Sequence, residues 1–504
     1  MKKAQPKKEE KPYKILEFLQ KYYFIFIILF TAVICFNCFY HLGQFPARDW
    51  DEARHGVSAY EMLKNHNYIL NTYAYEPDYW NLKPPLSFWG IIVGYKLFGY
   101  NLFGMRFYSA LAFVLTALLT ALFALKRYGK LESLAMTLFI ACCSPFYRFH
   151  FARHGDADAL FMLFVVISIL SAILIKEHPR FLYLCGFAFS LAFLTKSWHA
   201  FLVVAVVGVY FITSKLIWKL NWKQWILFLL SAFGPIFLWM AIRYGYDGFN
   251  FFKNMVEVDL LHRVQQPLEG HTGGVFYYVQ LMFDMSLTTG LLPLFIAVYY
   301  LFLKITGEQD AILQMNHNLK KDFSNYLIWI LLPLVLFTIA QTKISWYAIP
   351  IFFPIVVLAG LLFAQIIQSG RKYIALQLLF CALLLIILIP SFIRTWDEIQ
   401  PAYQDDLQIF MADELTKSGS IKGKNAYLEI DQPLTPLQWD QSYLLVGELY
   451  LDLKCRPGGV QEFIKHPQGS VLIISSNQYN QYRSDLQKYN VVEQNKKLLC
   501  LTEK

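Results

Sequence analysis

Charge is scarce in this chain. Only 16% of its 504 residues are Asp, Glu, Lys or Arg, against 56% hydrophobic, which is too little to cover a water-soluble surface of that size. An ordinary soluble protein is excluded, and most of the chain is expected in lipid. Acidic residues are the minority sign, 36 against 45 Lys and Arg, for a net charge of +9. The basic excess does not form a nucleic-acid surface, because it falls in short runs between apolar segments, as in loops retained on the cytoplasmic side of a membrane. No nucleic-acid partner is expected.

Cysteine is sparse too, and no spacing suits a metal. Cys35, Cys38, Cys142, Cys143, Cys185 and Cys381 lie in or beside apolar stretches, where cysteine behaves as a small buried hydrophobe. Cys455 and Cys500 lie in a polar tail, where a disulfide between them requires an oxidising compartment. The apolar run at 22–40 lacks a small-residue cleavage site and is long enough to span, so it reads as a retained first helix and not as a removed signal. Internal repeats are absent, which argues against the alternative of a multi-span transporter or lipid flippase built from repeated halves.

What the chain does have is apolar length. Stretches able to span occur at about 22–40, 105–125, 131–149, 156–175, 181–194, 199–214, 225–243, 281–303, 326–341, 346–367 and 373–393. They give about 11 crossings, each needing roughly 20 residues. The segment 86–98, LSFWGIIVGYKLF, is apolar but short. With 86–98 laid along the interface, the basic loops at 126–130, 176–180, 215–224, 304–325 and 368–372 share the side of the basic N-terminus, which makes that side cytoplasmic. As a crossing, it would put all of those loops outside. The chain therefore reads as an α-helical polytopic membrane protein, with a cytoplasmic start at 1–21 and a membrane domain at 22–393. Its outer loops are 41–104, 148–155 and 244–280. The tail at 394–504, with β-like runs AYLEI, SYLLVGELYL and SVLIIS between Pro and Gly turns, reads as a small extracytoplasmic α/β domain.

The outer loops hold the chemistry. RDWDEARHG at 48–56 packs Asp49, Asp51, Glu52, Arg54 and His55 beside the membrane; the plain alternative is an interfacial helix with acids near its start. NLKPPLSFW at 81–89 places Lys83 ahead of two prolines that open a helix, a position suited to phosphate because a cation and unpaired N–H groups coincide there. RFHFARHGDADAL at 148–160 brings Arg148, Arg153, His154, Asp156 and Asp158 to the same face. Ionisable residues at a membrane edge are costly unless paired or functional, although one of these aspartates can simply cap the next helix.

The order DEARHGVSAYEML (51–63), LKPPLSFW (82–89), FGMRFYSAL (103–111), ARHGDADALFMLF (152–164) and FLTKSW (193–198) resembles the protein O-mannosyltransferase and lipid A aminoarabinose transferase family, of the C-type glycosyltransferase fold. The likeness continues more weakly through HRVQQPLEGHTGGVFYYVQ (262–280) and KISWYAIPIFFP (343–354). It implies an enzyme of a bacterial-type inner membrane, with a periplasmic tail. Such enzymes transfer sugar from a polyprenyl-phosphate donor to a lipid A-type or protein acceptor. By the same likeness Asp51 is the aspartate of the family's Asp-Glu motif, completed by Glu52, Lys83 its phosphate-contacting lysine and Asp158 its second-loop acid. His55 stands where the family commonly has Tyr, and Ser197 where it has Gly.

Phosphate leaves as an anion, so the site needs fixed positive charge more than a general acid. Lys83, Arg54, Arg153, Arg263 and the phenol of Tyr347 are the candidates. Asp51 is the expected base toward a hydroxyl acceptor, and a single carboxylate with direct displacement predicts inversion. His55, His262, His271 and Lys343 are candidate substrate contacts. His262 and His271 flank a Gly-rich turn without a strong ligand pattern, so no metal or other cofactor is required, with a divalent cation as the minor alternative.

Overall fold

The Leu102–Arg127 helix gives the molecule its axis. Asn101 caps its start by accepting the Gly104 N–H at 2.8 Å, and Lys126 and Arg127 occupy its last turn, so both ends suit the helix dipole. A computed structural model describes residues 14–148, 150–262, 271–285, 297, 301, 316–368, 374–401, 404–430 and 441–504. Near one end of this helix Ser109 donates to the Asp156 carbonyl; at the other, Arg127 pairs with Asp322 and, at 2.8 Å, with Glu177. About 27 Å of helix separates those two ends, close to the thickness of a bilayer core.

Other contacts sort the segments between the two ends. On the Arg127 side, Lys130 reaches the Gln20 carbonyl, Tyr23 meets Ser133, and Gln365 and Gln368 meet Glu132. On the Asp156 side, Arg153 reaches the end of the first helix and Lys196 meets Asp158. The helices Phe181–Lys196 and Phe201–Thr213 are joined by one tight turn, Ser197–Ala200. They run oppositely: Lys196 reaches Asp158, whereas Tyr210 lies in the field of Asp322 and Arg127.

Among the described residues five helical runs are long and apolar enough to cross a membrane, and Lys14–Lys21 with Tyr23–Phe39, bent by 75°, makes a sixth. That is fewer than the crossings expected. The spans expected at 131–149 and 156–175 are shorter helices, Lys130–Cys142 and Asp158–Leu174, and those at 181–194 and 199–214 are the two oppositely running helices on either side of the Ser197–Ala200 turn, counted as one helical stretch among the five. Most of 281–303 lies outside the described residues. Leu86–Phe98 is a 13-residue helix, about 20 Å long and short for a crossing. It packs on Leu102–Arg127, where a Cβ on Gly94 would overlap the Gly104 carbonyl.

The tail folds around a five-stranded sheet in the order Lys454–Arg456, Asn425–Glu429, Ser470–Ser475, Leu498–Thr502, Asn490–Gln494; the first three are parallel and the last two antiparallel. AYLEI and SVLIIS are strands as expected. SYLLVGELYL is instead the helix Gln441–Leu451, buried nearly all round, so its apolar run carried no period to distinguish helix from strand. Side chains alternate across the sheet: Ala426, Leu428, Val471, Ile473 and Cys500 share a core with Val57, Tyr60 and Met62 of the helix Asp51–Lys64, while Tyr427, Leu472, Ile474 and Leu501 face a separate cluster. Cys455 and Cys500 are both free and buried. Their strands are three places apart, roughly 14 Å at sheet spacing, so the disulfide considered above does not form.

Candidate active site

Asp51 opens the helix Asp51–Lys64, and Lys83 stands three residues before the helix Leu86–Phe98. Pro84 and Pro85 lead into that second helix at the position where a missing N–H costs nothing. The Lys83 ammonium meets Asp51 Oδ1 at 2.9 Å, with side chains 16% and 20% exposed, so the pair is reachable yet largely dry. It borders a cavity of about 250 Å³ lined also by Trp50, Trp80, His150, Lys196, Asp259 and Trp346. Burial pushes the Asp51 carboxyl up, but Lys83, with His150, outweighs it and holds the group well below the ordinary carboxylate range. Burial pulls Lys83 down, and Asp51 with Asp156 more than restores it, so the lysine is firmly charged.

A second pair faces the first. Lys196 Nζ lies 2.5 Å from Asp158 Oδ1, both side chains under 8% exposed, with the ring of Tyr347 5.3 Å from the ammonium. Beside them His150 donates to Asp156 at 2.6 Å and stacks on Trp346. Ser197, whose backbone has φ 44°, donates its hydroxyl to Asp259 at 2.9 Å. Asp51, His150 and Asp156 each offer one ligand atom within 4.8 Å of the others. Two carboxylates and an imidazole suit a divalent cation, although Lys83 competes for Asp51.

The other candidates are distributed as follows. Tyr347 and His271 line the cavity. His262 ends the segment Glu257–His262 and is exposed; Arg263 lies outside the described residues. Glu52 does not face the cavity: one residue on from Asp51 it points about 100° around the helix, where Arg106 grips it at 2.7 and 2.9 Å and Gly155 N–H donates at 3.0 Å. Arg106 also holds the carbonyls of Leu42, Phe45 and Pro46, so this pair knots three segments together. Arg54 makes two bonds to Asp78, at 2.9 and 2.8 Å, between the rings of Tyr73 and Trp80; it shapes the loop that presents Lys83.

Arg153 caps the helix Tyr23–Phe39 through the carbonyls of Asn37, Cys38 and Tyr40. Lys343 does the same for His317–Ile339 through Phe337, Thr338 and Ala340. His55 is fully buried against Phe88, with Nδ1 2.7 Å from the Asp51 carbonyl. Burial, aided by Lys83, drops its pKa to about 4, which keeps it neutral. Glu52, Arg54, Arg153, His55 and Lys343, expected at the substrate, do not line the cavity; their bonds go to the surrounding frame, while Arg54 Nη1 and His55 Nε2 are buried without a hydrogen-bond partner among the described residues. Lys196, His150, Asp156 and Asp259 were not singled out for the site. An ionisable residue at the end of an apolar helix, as Lys196 is, was the available signal.

The chain is similar to known proteins in sequence and in fold. Residues 82–239 match the family described as dolichyl-phosphate-mannose-protein mannosyltransferase. The undecaprenyl phosphate-alpha-4-amino-4-deoxy-L-arabinose arabinosyl transferase of Erwinia tasmaniensis is 26% identical over 345 residues, 64% of this chain and 56% of that protein. The corresponding transferase 2 of Pseudomonas fluorescens is 24% identical over 335 residues, 62% and 54%. The match thus spans somewhat over half the length of these relatives. The crystal structure of ArnT from Cupriavidus metallidurans bound to undecaprenyl phosphate aligns with a TM-score of 0.67 at 16% identity, covering 94% of this chain and 97% of that one. The chain therefore has the fold of ArnT, the C-type glycosyltransferase fold, and over part of its length it is similar to the protein mannosyltransferases and the aminoarabinose transferases.

Proposed function

We propose that the chain is a membrane glycosyltransferase that takes a sugar from a polyprenyl-phosphate donor and joins it to an acceptor on the outer face, either a lipid A-type glycolipid or a protein hydroxyl. The observation that carries this reading is the charged Lys83–Asp51 pair at the wall of an aromatic-lined cavity. The printed names of the arabinosyl transferases and the undecaprenyl phosphate bound to ArnT support the same donor class.

In the reaction the bond from the anomeric carbon to the phosphate oxygen breaks, and the acceptor oxygen forms its bond from the opposite side. The phosphate departs as an anion, held by Lys83 with Lys196 across the cavity, as charge-assisted bonds allow. Trp50, Trp80 and Trp346 offer flat apolar faces to the sugar. A single carboxylate acting on a hydroxyl acceptor gives inversion. Paired with Lys83, Asp51 is a poor base; a donor phosphate that draws Lys83 away raises its basicity when the donor is in place. Toward a lipid-phosphate acceptor, already ionised, Asp51 orients instead.

The basic loops support a cytoplasmic N-terminus and a periplasmic C-terminal domain in a bacterial-type inner membrane. Mass spectrometry of lipid A and of extracytoplasmic proteins, with and without the gene, tests the proposal. Loss of one sugar-bearing species is expected; identical profiles would contradict it.

A further inference from the structure

Two helix starts cap each other across the boundary between the outer loop and the C-terminal domain. Trp50 holds the N-cap position of Asp51–Lys64 with φ 69° and ψ −131°, and its side chain makes no capping bond. Its N–H donates to Gln441 Oε1 at 2.5 Å. Gln441 is fully buried and begins the helix Gln441–Leu451. The next amide of that helix, Ser442 N–H, donates to Asp49 Oδ1 at 2.8 Å. Within one segment, a side-chain acceptor from an N-cap residue does this work. Here the acceptors lie 391 and 393 residues away in sequence, so neither cap exists unless the two regions are docked.

The location gives the contact a consequence. A bulky residue keeps a left-handed backbone only where its surroundings over-determine it, and Trp50 directly precedes Asp51 and lines the cavity. Whatever holds the Trp50 amide therefore holds the Asp51 carboxylate at its 2.9 Å from Lys83. The same boundary is fastened farther along: Tyr60 donates to Asp452 at 2.5 Å, Lys64 pairs with Asp452 at 2.6 Å, and Gln408 bonds both the N–H and the carbonyl of Ala47 at 2.8 Å. The cross-cap is the fastening nearest the site.

We propose that Gln441, together with Asp49, is a positioning residue: the C-terminal domain sets the place of the Asp51 carboxylate relative to Lys83. The inference rests on the glycosyl-transfer reading of the cavity and adds the C-terminal domain to its machinery. Gln441 does not line the cavity, so it acts through Trp50 and Asp51.

The test is hydrogen exchange on the full chain in lipid nanodiscs, with undecaprenyl phosphate as the probe. Gln441→Met keeps the side-chain length and removes the acceptor, while Gln441→Glu keeps an acceptor at the same reach. In Gln441→Met, residues 48–54 should exchange about tenfold faster, as loss of one hydrogen bond implies. The strands Asn425–Glu429 and Ser470–Ser475 should keep their protection. The dissociation constant for undecaprenyl phosphate should rise about three- to tenfold, and Gln441→Glu should return both readouts toward wild type. If the strands also lose protection, Asp49→Ala removes the other acceptor and is judged by the same two readouts. Unchanged exchange at 48–54 and unchanged affinity, in a protein whose wild type binds the lipid, overturn the positioning role. A wild type that does not bind undecaprenyl phosphate overturns the glycosyl-transfer reading, while exchange at 48–54 still decides the cross-cap.

Discussion

Glu61 and Glu448 bury their carboxyl groups within each other's electrostatic reach, one on the helix Asp51–Lys64 and the other on the helix Gln441–Leu451. Both residues are fully buried. Thr72, the Tyr75 N–H and Asp78 also face Glu61, and Arg456 and Cys455 face Glu448. Burial pushes Glu61 up to about 7, and burial together with Glu61 pushes Glu448 well above the carboxylate range. Two neighbouring carboxyls in a dry site cannot both ionise cheaply, so the protonated form is favoured.

Docking of the C-terminal domain should therefore depend on pH. Both folded pKa values are raised, so the docked form is fully favoured below the unfolded value of about 4.3 and loses stability as pH rises through 7. The loss is on the order of a few kcal/mol. Glu448→Gln, which donates to Glu61 without titrating, should flatten this dependence and raise the melting temperature at pH 8. Thermal unfolding across pH 5–8 checks it; parallel curves for mutant and wild type would contradict it.

Arg106→Met should leave Glu52 buried without its partner and cost about 3–5 kcal/mol. Because Arg106 also holds three carbonyls at the base of the outer loop, the defect should appear in thermal stability. Lipid binding per folded molecule should change little. A stable protein with specifically weakened binding would place the Glu52–Arg106 knot in the site after all.

Asp51→Asn should lower transfer to a hydroxyl acceptor by about 10²–10⁴, the usual cost of losing a general base. Single-turnover transfer at saturating donor measures it. A modest loss accompanied by weaker substrate binding would favour a lipid-phosphate acceptor, and near-normal turnover would remove Asp51 from the chemistry.

A reporter active only in the cytoplasm, fused after Lys504, should be silent. A bright signal would put the cavity on the wrong face of the membrane for an outer acceptor.

That Asp51, Lys83 and Asp158 share one end of the molecule was legible because the Lys and Arg runs collect at the other, and the placing of Lys83 was legible because two prolines mark the helix start behind it. The division of labour among neighbouring charges was not. Asp51 and Glu52 are adjacent in sequence, and only the direction of the helix decides that one meets Lys83 and the other Arg106. Arg153 looks like a phosphate ligand and Lys343 like a substrate contact until the nearby helix ends are in place, since capping carbonyls and binding a substrate call on the same donors. The Ser197–Asp259 and Gln441–Trp50 bonds join residues 62 and 391 positions apart, a distance at which local pattern carries no signal.

The central claim is that the Lys83–Asp51 wall receives a lipid phosphate, and binding of undecaprenyl phosphate to wild type and Lys83→Ala in nanodiscs tests it most directly. A charge-assisted bond contributes about 1.5–3 kcal/mol, so Lys83→Ala should bind roughly 10- to 150-fold more weakly while unfolding at the wild-type temperature within a few degrees. Unchanged affinity in a well-folded Lys83→Ala protein would contradict the account.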